Sequence, residues 1–208
     1  MTIAADQKRA PRTASADGTE VVRLWDPVVR VLHWALFIAF ATAWILGEFG
    51  PADMTYHFWA GYTVATIVVL RVIWGFIGPK PARFSSFVRG PGKVIAYAGT
   101  MFSRKPSNLA GHNPVGAIFV VAILALLALQ VMTGLVSDPE DYINVGPLAQ
   151  YVSSATSRFA LSWHEPLAII ALVLTIIHVT SIYFYKFYKG EDLIIPMITG
   201  WKKVKKRD

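Results

Sequence analysis

The stretch WHEPLAIIALVLTIIHV, residues 163–179, sets two histidines in a run that is otherwise apolar except for Glu165 and Thr175. With the residues that follow, it forms an apolar segment over about 164–188, beyond the ~20 residues that span ~30 Å of hydrocarbon. His164 and His178 stand 14 residues apart (178 minus 164). At about 100° per residue this is about 40° short of four turns, so both imidazoles leave nearly the same helix face, about 21 Å apart along the axis. One helix thus presents a ring near each side of a membrane.

Three further apolar runs lie at about 28–48, 57–78 and 114–136. With 54% hydrophobic and 16% charged residues and a mean hydropathy of +0.46, the chain is too apolar for an ordinary soluble domain. The expected fold is an all-α membrane protein, a four-helix transmembrane bundle over residues 23–208. Residues 1–22 are polar and mixed in charge, and read as a disordered cytoplasmic tail rather than a cleavable leader. Cysteine is absent, which excludes disulfides, iron–sulfur clusters and covalently attached haem within the chain.

Basic residues set the orientation. Lys8, Arg9, Arg12, Arg23 and Arg30 precede or open the first run, six more lie between the second and third, and seven follow the core of the fourth. The first-to-second connection has none, and the third-to-fourth has only Arg158 beside Asp138, Glu140 and Asp141. By the positive-inside rule both termini are cytoplasmic, in a multi-pass protein of a bacterial inner membrane. The formal charge of +7 is accounted for by topology and needs no nucleic acid.

Asp26-Pro27 and Asn113-Pro114 place a capping side chain before a proline suited to the first helical turn. Ser162 and Glu165 match a capping box for the fourth helix, with Pro166 close behind. The basic connection at 79–113 carries enough aromatic residues to lie partly in the membrane interface.

Orientation sorts the histidines by depth. His33 is inner on helix one, His57 outer on helix two, His164 outer and His178 inner on helix four. Two cross-helix pairs result, His33 with His178 and His57 with His164. A single intramembrane histidine is often no more than a hydrogen-bonding group between helices. Two pairs at two depths are what two six-coordinate haems b require, each iron taking two neutral imidazoles. Zinc is the competing ion, but it prefers four ligands, and no cysteine or carboxylate supplements either pair. With both axial positions filled, such irons transfer electrons and have no place for oxygen.

The segments RLWDPVVRVLHW (23–34), HFWAGY (57–62), RVIWGFIGPKPARFSSFV (71–88), GHNPVGA (111–117), WHEPLAIIALVLTIIHV and LIIPMITGWKK (193–203) resemble the bacterial cytochrome b561-type family, close to the cytochrome b subunits of nickel–iron hydrogenases. The resemblance implies two non-covalent haems b on His33, His57, His164 and His178. It also implies electron exchange between a membrane quinone and an outer-face redox protein, whether a hydrogenase, a cytochrome c or another dehydrogenase. In the family, quinone docks by the inner haem near an Asn and a Gly at a helix start, which here are Asn113 and Gly116, with His178 adjacent. His112 is either a loop residue bonded to backbone or a group near quinone or a haem propionate. Arg71 either snorkels to the interface or pairs with the inner propionate. Gly61, Gly75, Gly116 and Gly134 offer room either for helix packing or for a macrocycle. Alternatives are a superoxide-oxidising cytochrome that reduces quinone, which the acidic outer loop disfavours, and a haem-bearing membrane anchor. The sequence leaves the oligomeric state open.

Overall fold

The computed structural model describes residues 19–104 and 111–205. Strand β1 (Thr19–Arg23) is followed by helices α1 (Pro27–Phe49), α2 (Thr55–Ile77), α3 (Phe84–Phe87), α4 (Pro91–Ala98), α5 (Pro114–Val136), α6 (Ser154–Tyr188) and α7 (Ile194–Thr199), and by strand β2 (Trp201–Lys205). Helices α1, α2, α5 and α6 are each long and apolar enough to cross a membrane. The runs at 28–48, 57–78 and 114–136 match α1, α2 and α5 to within two residues.

Helix α6 departs from expectation: it begins ten residues before 164 and runs for 35. The Ser162 hydroxyl bonds back to the Phe159 carbonyl and caps nothing. The cap is Ser153, which accepts from the Thr156 amide at 3.2 Å. Pro166 sits inside the helix, where a proline removes one donor yet is tolerated if neighbouring helices hold the segment. Ser157 and Ala160, both buried, tie the added turns to the bundle, with the Ser157 hydroxyl donating to the Val136 carbonyl. At about 1.5 Å per residue the helix is about 52 Å long, so its first turns extend past the hydrocarbon.

Residues 1–18 lie outside the described residues, but 19–22 belong to β1, which pairs antiparallel with β2 from Thr19↔Lys205 to Arg23↔Trp201. The strand WKKVK reads as a basic tail in isolation. It folds back because Gly200 takes a left-handed φ of 87°, and the Gly200 carbonyl accepts from the Leu24 and Trp25 amides at 2.8 and 3.2 Å. Both described ends of the chain therefore lie at one end of the bundle, called here the sheet end.

The expected caps on α1 and α5 are present. Asp26 accepts from the Val28 and Val29 amides, and also from the Trp74 indole at 3.1 Å, which joins the start of α1 to the end of α2. Helix α1 packs on α2, α2 on α5 and α5 on α6. Their shared core is Leu32, Ala39, Val64, Ile67, Val68, Leu127 and Ala171. Ala171 has no exposed surface and stands seven residues from each of His164 and His178, so this apolar layer lies between the two histidine depths.

Candidate functional site

The four helices bring the histidines together as the depth argument expects. His33 of α1 faces His178 of α6 at the sheet end, with ring centroids 6.3 Å apart and planes at 56°. His57 of α2 faces His164 of α6 at the far end, with centroids 6.0 Å apart and planes at 81°. All four rings are partly buried.

The 14-residue interval that α6 uses recurs on every spanning helix. On α1 it links His33 to Gly47, where an added Cβ would stand 3.1 Å from the His57 ring. On α2 it links His57 to Arg71. On α5 it links Phe119, stacked on His178 with centroids 5.3 Å apart and planes at 12°, to Thr133, which bonds His164. Each helix therefore presents one position to each ring level, the same face returning after about four turns. Gly47, Phe119 and Thr133 were missed in the sequence reading, although this spacing carried the signal.

At the far level each ring has a hydrogen-bond partner. His57 Nδ1 donates to the Ala43 carbonyl at 2.9 Å. His164 Nδ1 meets the Thr133 hydroxyl at 2.9 Å, and the Gln130 amide nitrogen lies 3.2 Å from both ring nitrogens of His164. Gly134 gives His164 its room: a Cβ there would come within 2.9 Å of the ring. The other glycines differ in role. Gly75 admits the Phe84 ring, Gly116 donates its amide to the Asn113 cap at 2.7 Å, and Gly61 has nothing within 4 Å.

The sheet-end level holds unpartnered polar atoms. His33 Nδ1 is buried with no hydrogen-bond partner. Arg71 is 8% exposed, reaches the Ala82 carbonyl at 3.4 Å and lies 5.2 Å from the Phe84 ring centre, while its Nη1 is buried without a partner. His112 packs between Trp25 and Phe87, with centroids 4.7 and 4.6 Å away. Burial pushes its pKa down to about 4, and Arg71, His178 and His33 add to the shift, so it is neutral at physiological pH. Its Nδ1 has no partner, contrary to the expectation of a backbone bond. Asn113 caps α5 and donates to the Tyr185 hydroxyl at 3.2 Å, which in turn lies 3.0 Å from the Tyr97 hydroxyl.

Residues 24–200 match the family model described as prokaryotic cytochrome b561. The chain belongs to that family. It is 21% identical to the probable Ni/Fe-hydrogenase 1 B-type cytochrome subunit of Escherichia coli (strain K12), covering 88% of this chain and 91% of that protein. Probable Ni/Fe-hydrogenase B-type cytochrome subunits of Rhizobium leguminosarum bv. viciae and Azotobacter chroococcum mcd 1 are 24% and 25% identical, over 90% and 92% of this chain and 91% and 95% of theirs. No solved structure gives a significant match. The cytochrome is an integral membrane protein of electron transport, and as a b-type cytochrome it carries haem without a covalent link.

The side chains fit that group. Two metal–nitrogen bonds of about 2 Å, plus about 1 Å from each nitrogen to its ring centre, set imidazole centres about 6 Å apart across one metal ion. The observed 6.3 and 6.0 Å agree with this. Among the described residues no group of three or more His, Cys, Asp and Glu side chains is placed to hold a metal ion. Gly47 and Gly134 leave clearance against the far rings, and the unpartnered Arg71 Nη1 is a donor suited to a carboxylate.

Proposed function

We propose that the protein is a dihaem cytochrome b that carries electrons across the bacterial inner membrane, between the quinone pool and a redox protein at the outer face. The observation that carries this reading is the pair of facing imidazoles at each of two depths, each pair joining α6 to another helix at the separation a bis-histidine metal site requires. His33 and His178 hold the inner haem, and His57 and His164 the outer one. The sheet end, with the basic residues of both termini, is cytoplasmic.

Haem supplies one-electron chemistry, and the protein supplies ligation, spacing and burial. Held by two imidazoles each, the haems would supply electron transfer. Arg71 pairs with a propionate of the inner haem through its unpartnered Nη1. Quinone docks at the inner level beside His178, near Asn113 and Gly116, with His112 at the edge of that region. The names of the relatives support a Ni/Fe-hydrogenase as the outer partner.

Pyridine haemochrome on the detergent-purified protein tests this reading. Two haems b per chain are expected, with one lost in each of His164→Ala and His178→Ala. A well-folded parent protein without haem refutes it. Oxidation of the haems by added quinone, measured in Asn113→Ala against the parent, tests the docking region. An unchanged rate in that variant removes Asn113 from the site.

A further inference from the structure

We infer that Thr133 is a positioning residue for the outer haem: its hydroxyl accepts a hydrogen bond from Nδ1–H of His164, fixes the tautomer that leaves Nε2 for iron, and makes His57/His164 the more electron-donating pair. This rests on the haem reading above. The geometry leaves the hydroxyl one arrangement. Its oxygen lies 2.8 Å from the Gln130 carbonyl, which can only accept, so the single hydroxyl proton goes there. The oxygen then accepts from His164 Nδ1 at 2.9 Å. The Gln130 amide nitrogen lies 3.2 Å from both ring nitrogens and favours neither tautomer, so the choice rests on Thr133. His57 is set alike by the Ala43 carbonyl.

A hydrogen bond from the second ring nitrogen fixes ring orientation and raises the ligand's basicity. The inner pair lacks this support at His33, whose Nδ1 is buried without a partner. One interval earlier on α5, the position equivalent to Thr133 is Phe119, which offers His178 a stacked ring and no acceptor. Charge leans the same way. Asp138, Glu140 and Asp141 lie in the connection at the outer end, whereas the buried Arg71 lies at the inner level. Electron-rich ligands and nearby negative charge favour ferric iron, and a buried cation favours ferrous iron. The outer haem therefore has the lower potential, and electrons run downhill from the outer face to the inner level.

The test is a redox titration of purified protein, followed optically and by electron paramagnetic resonance, in Thr133→Val and Thr133→Ser. Valine keeps the shape and removes the acceptor, while serine restores the hydroxyl. In Thr133→Val the lower-potential wave is expected to rise by about tenfold in its reduction equilibrium, or about 59 mV for one electron, with the upper wave fixed. Thr133→Ser should return it to the parent value and the parent spectrum. An unmoved lower wave, a shift of the upper wave instead, or a serine variant displaced as far as valine overturns the inference. If Thr133→Val loses a haem, a serine variant with parental haem and potential supports the inference, and one that also loses haem overturns it. Absence of haem from the parent protein would instead overturn the reading on which this rests.

Discussion

Gly134→Ala tests whether the His164 ring is held as an iron ligand. The new Cβ would stand 2.9 Å from the ring, whereas carbon atoms are comfortable only from about 3.5 Å, so the ring must retreat by about 0.6 Å. Ligand distances in a metal site hold to within about 0.2 Å, so the displacement exceeds what the bond tolerates. The backbone effect is opposite in sign, because alanine favours a helix interior by about 1 kcal/mol over glycine. The variant should therefore fold at least as readily while losing one haem of two, read by haemochrome against protein concentration. Gly47→Ala, with its Cβ at 3.1 Å from the His57 ring, should weaken the same haem less. Gly61→Ala, with nothing within 4 Å, should keep both haems and gain about 1 kcal/mol. Full haem content and an unshifted spectrum in Gly134→Ala would refute the reasoning, since a ring that moves freely is not fixed by a metal.

Ala171→Leu forces extra carbon atoms into the layer between the two ring levels, where Ala171 has no exposed surface, and should cost about 1–3 kcal/mol in detergent melting. Glu191→Ala removes the carboxylate 2.6 Å from the buried Lys202 ammonium and should loosen this end of the chain, read as faster hydrogen exchange in β1 and β2. Arg158→Ala removes a pair whose side chains are 61% and 67% exposed, and should change stability by less than about 1 kcal/mol. The Asp141 carboxylate accepts from the Asn144 and Ile143 amides, and these bonds hold its pKa below the ordinary 3.8. Its contribution is thus present above the unfolded value and is lost as pH falls through the lower folded one. Exchange protection of those two amides should persist through the ordinary carboxylate range, disappear only as pH falls below it, and be absent at all pH in Asp141→Ala.

The spans, the caps at Asp26 and Asn113, and the histidine pairing were legible because each rests on a local or periodic rule. Apolar length marks a span, a short acceptor before proline marks a helix start, and basic residues assign each histidine a depth. The start of α6 was not legible, because Pro166 and the Ser162–Glu165 pattern imitate a helix start. What overrides them is packing of Ser157 and Ala160 against the bundle. The β1–β2 pair was hidden because neither TEVVR nor WKKVK alternates apolar and polar residues, and the two meet only after the helices bring both ends of the chain to one side. Thr133 was hidden for another reason: a threonine near the end of an apolar helix ordinarily bonds its own backbone. Thr133 does so too, through Gln130, and its second bond depends on a different helix.

The 14-residue interval itself has a physical reason. An interval of seven would return the same face after about 10.5 Å, leaving no room for a packed layer between the rings. One of 21 would set the levels about 31.5 Å apart, at the edges of a ~30 Å hydrocarbon core and open to water. Fourteen gives about 21 Å, which keeps each ring a few Å inside the core and leaves the middle to Ala171, Val64 and their neighbours. Within that frame the two levels differ in what the non-histidine positions supply: Gly47 and Thr133 at one, Arg71 and Phe119 at the other. A device of two identical levels would carry electrons equally well either way. Polar support for the ligands at one end and a buried cation at the other give the proposed path a slope, and the helices can vary that slope at each level without disturbing the spacing.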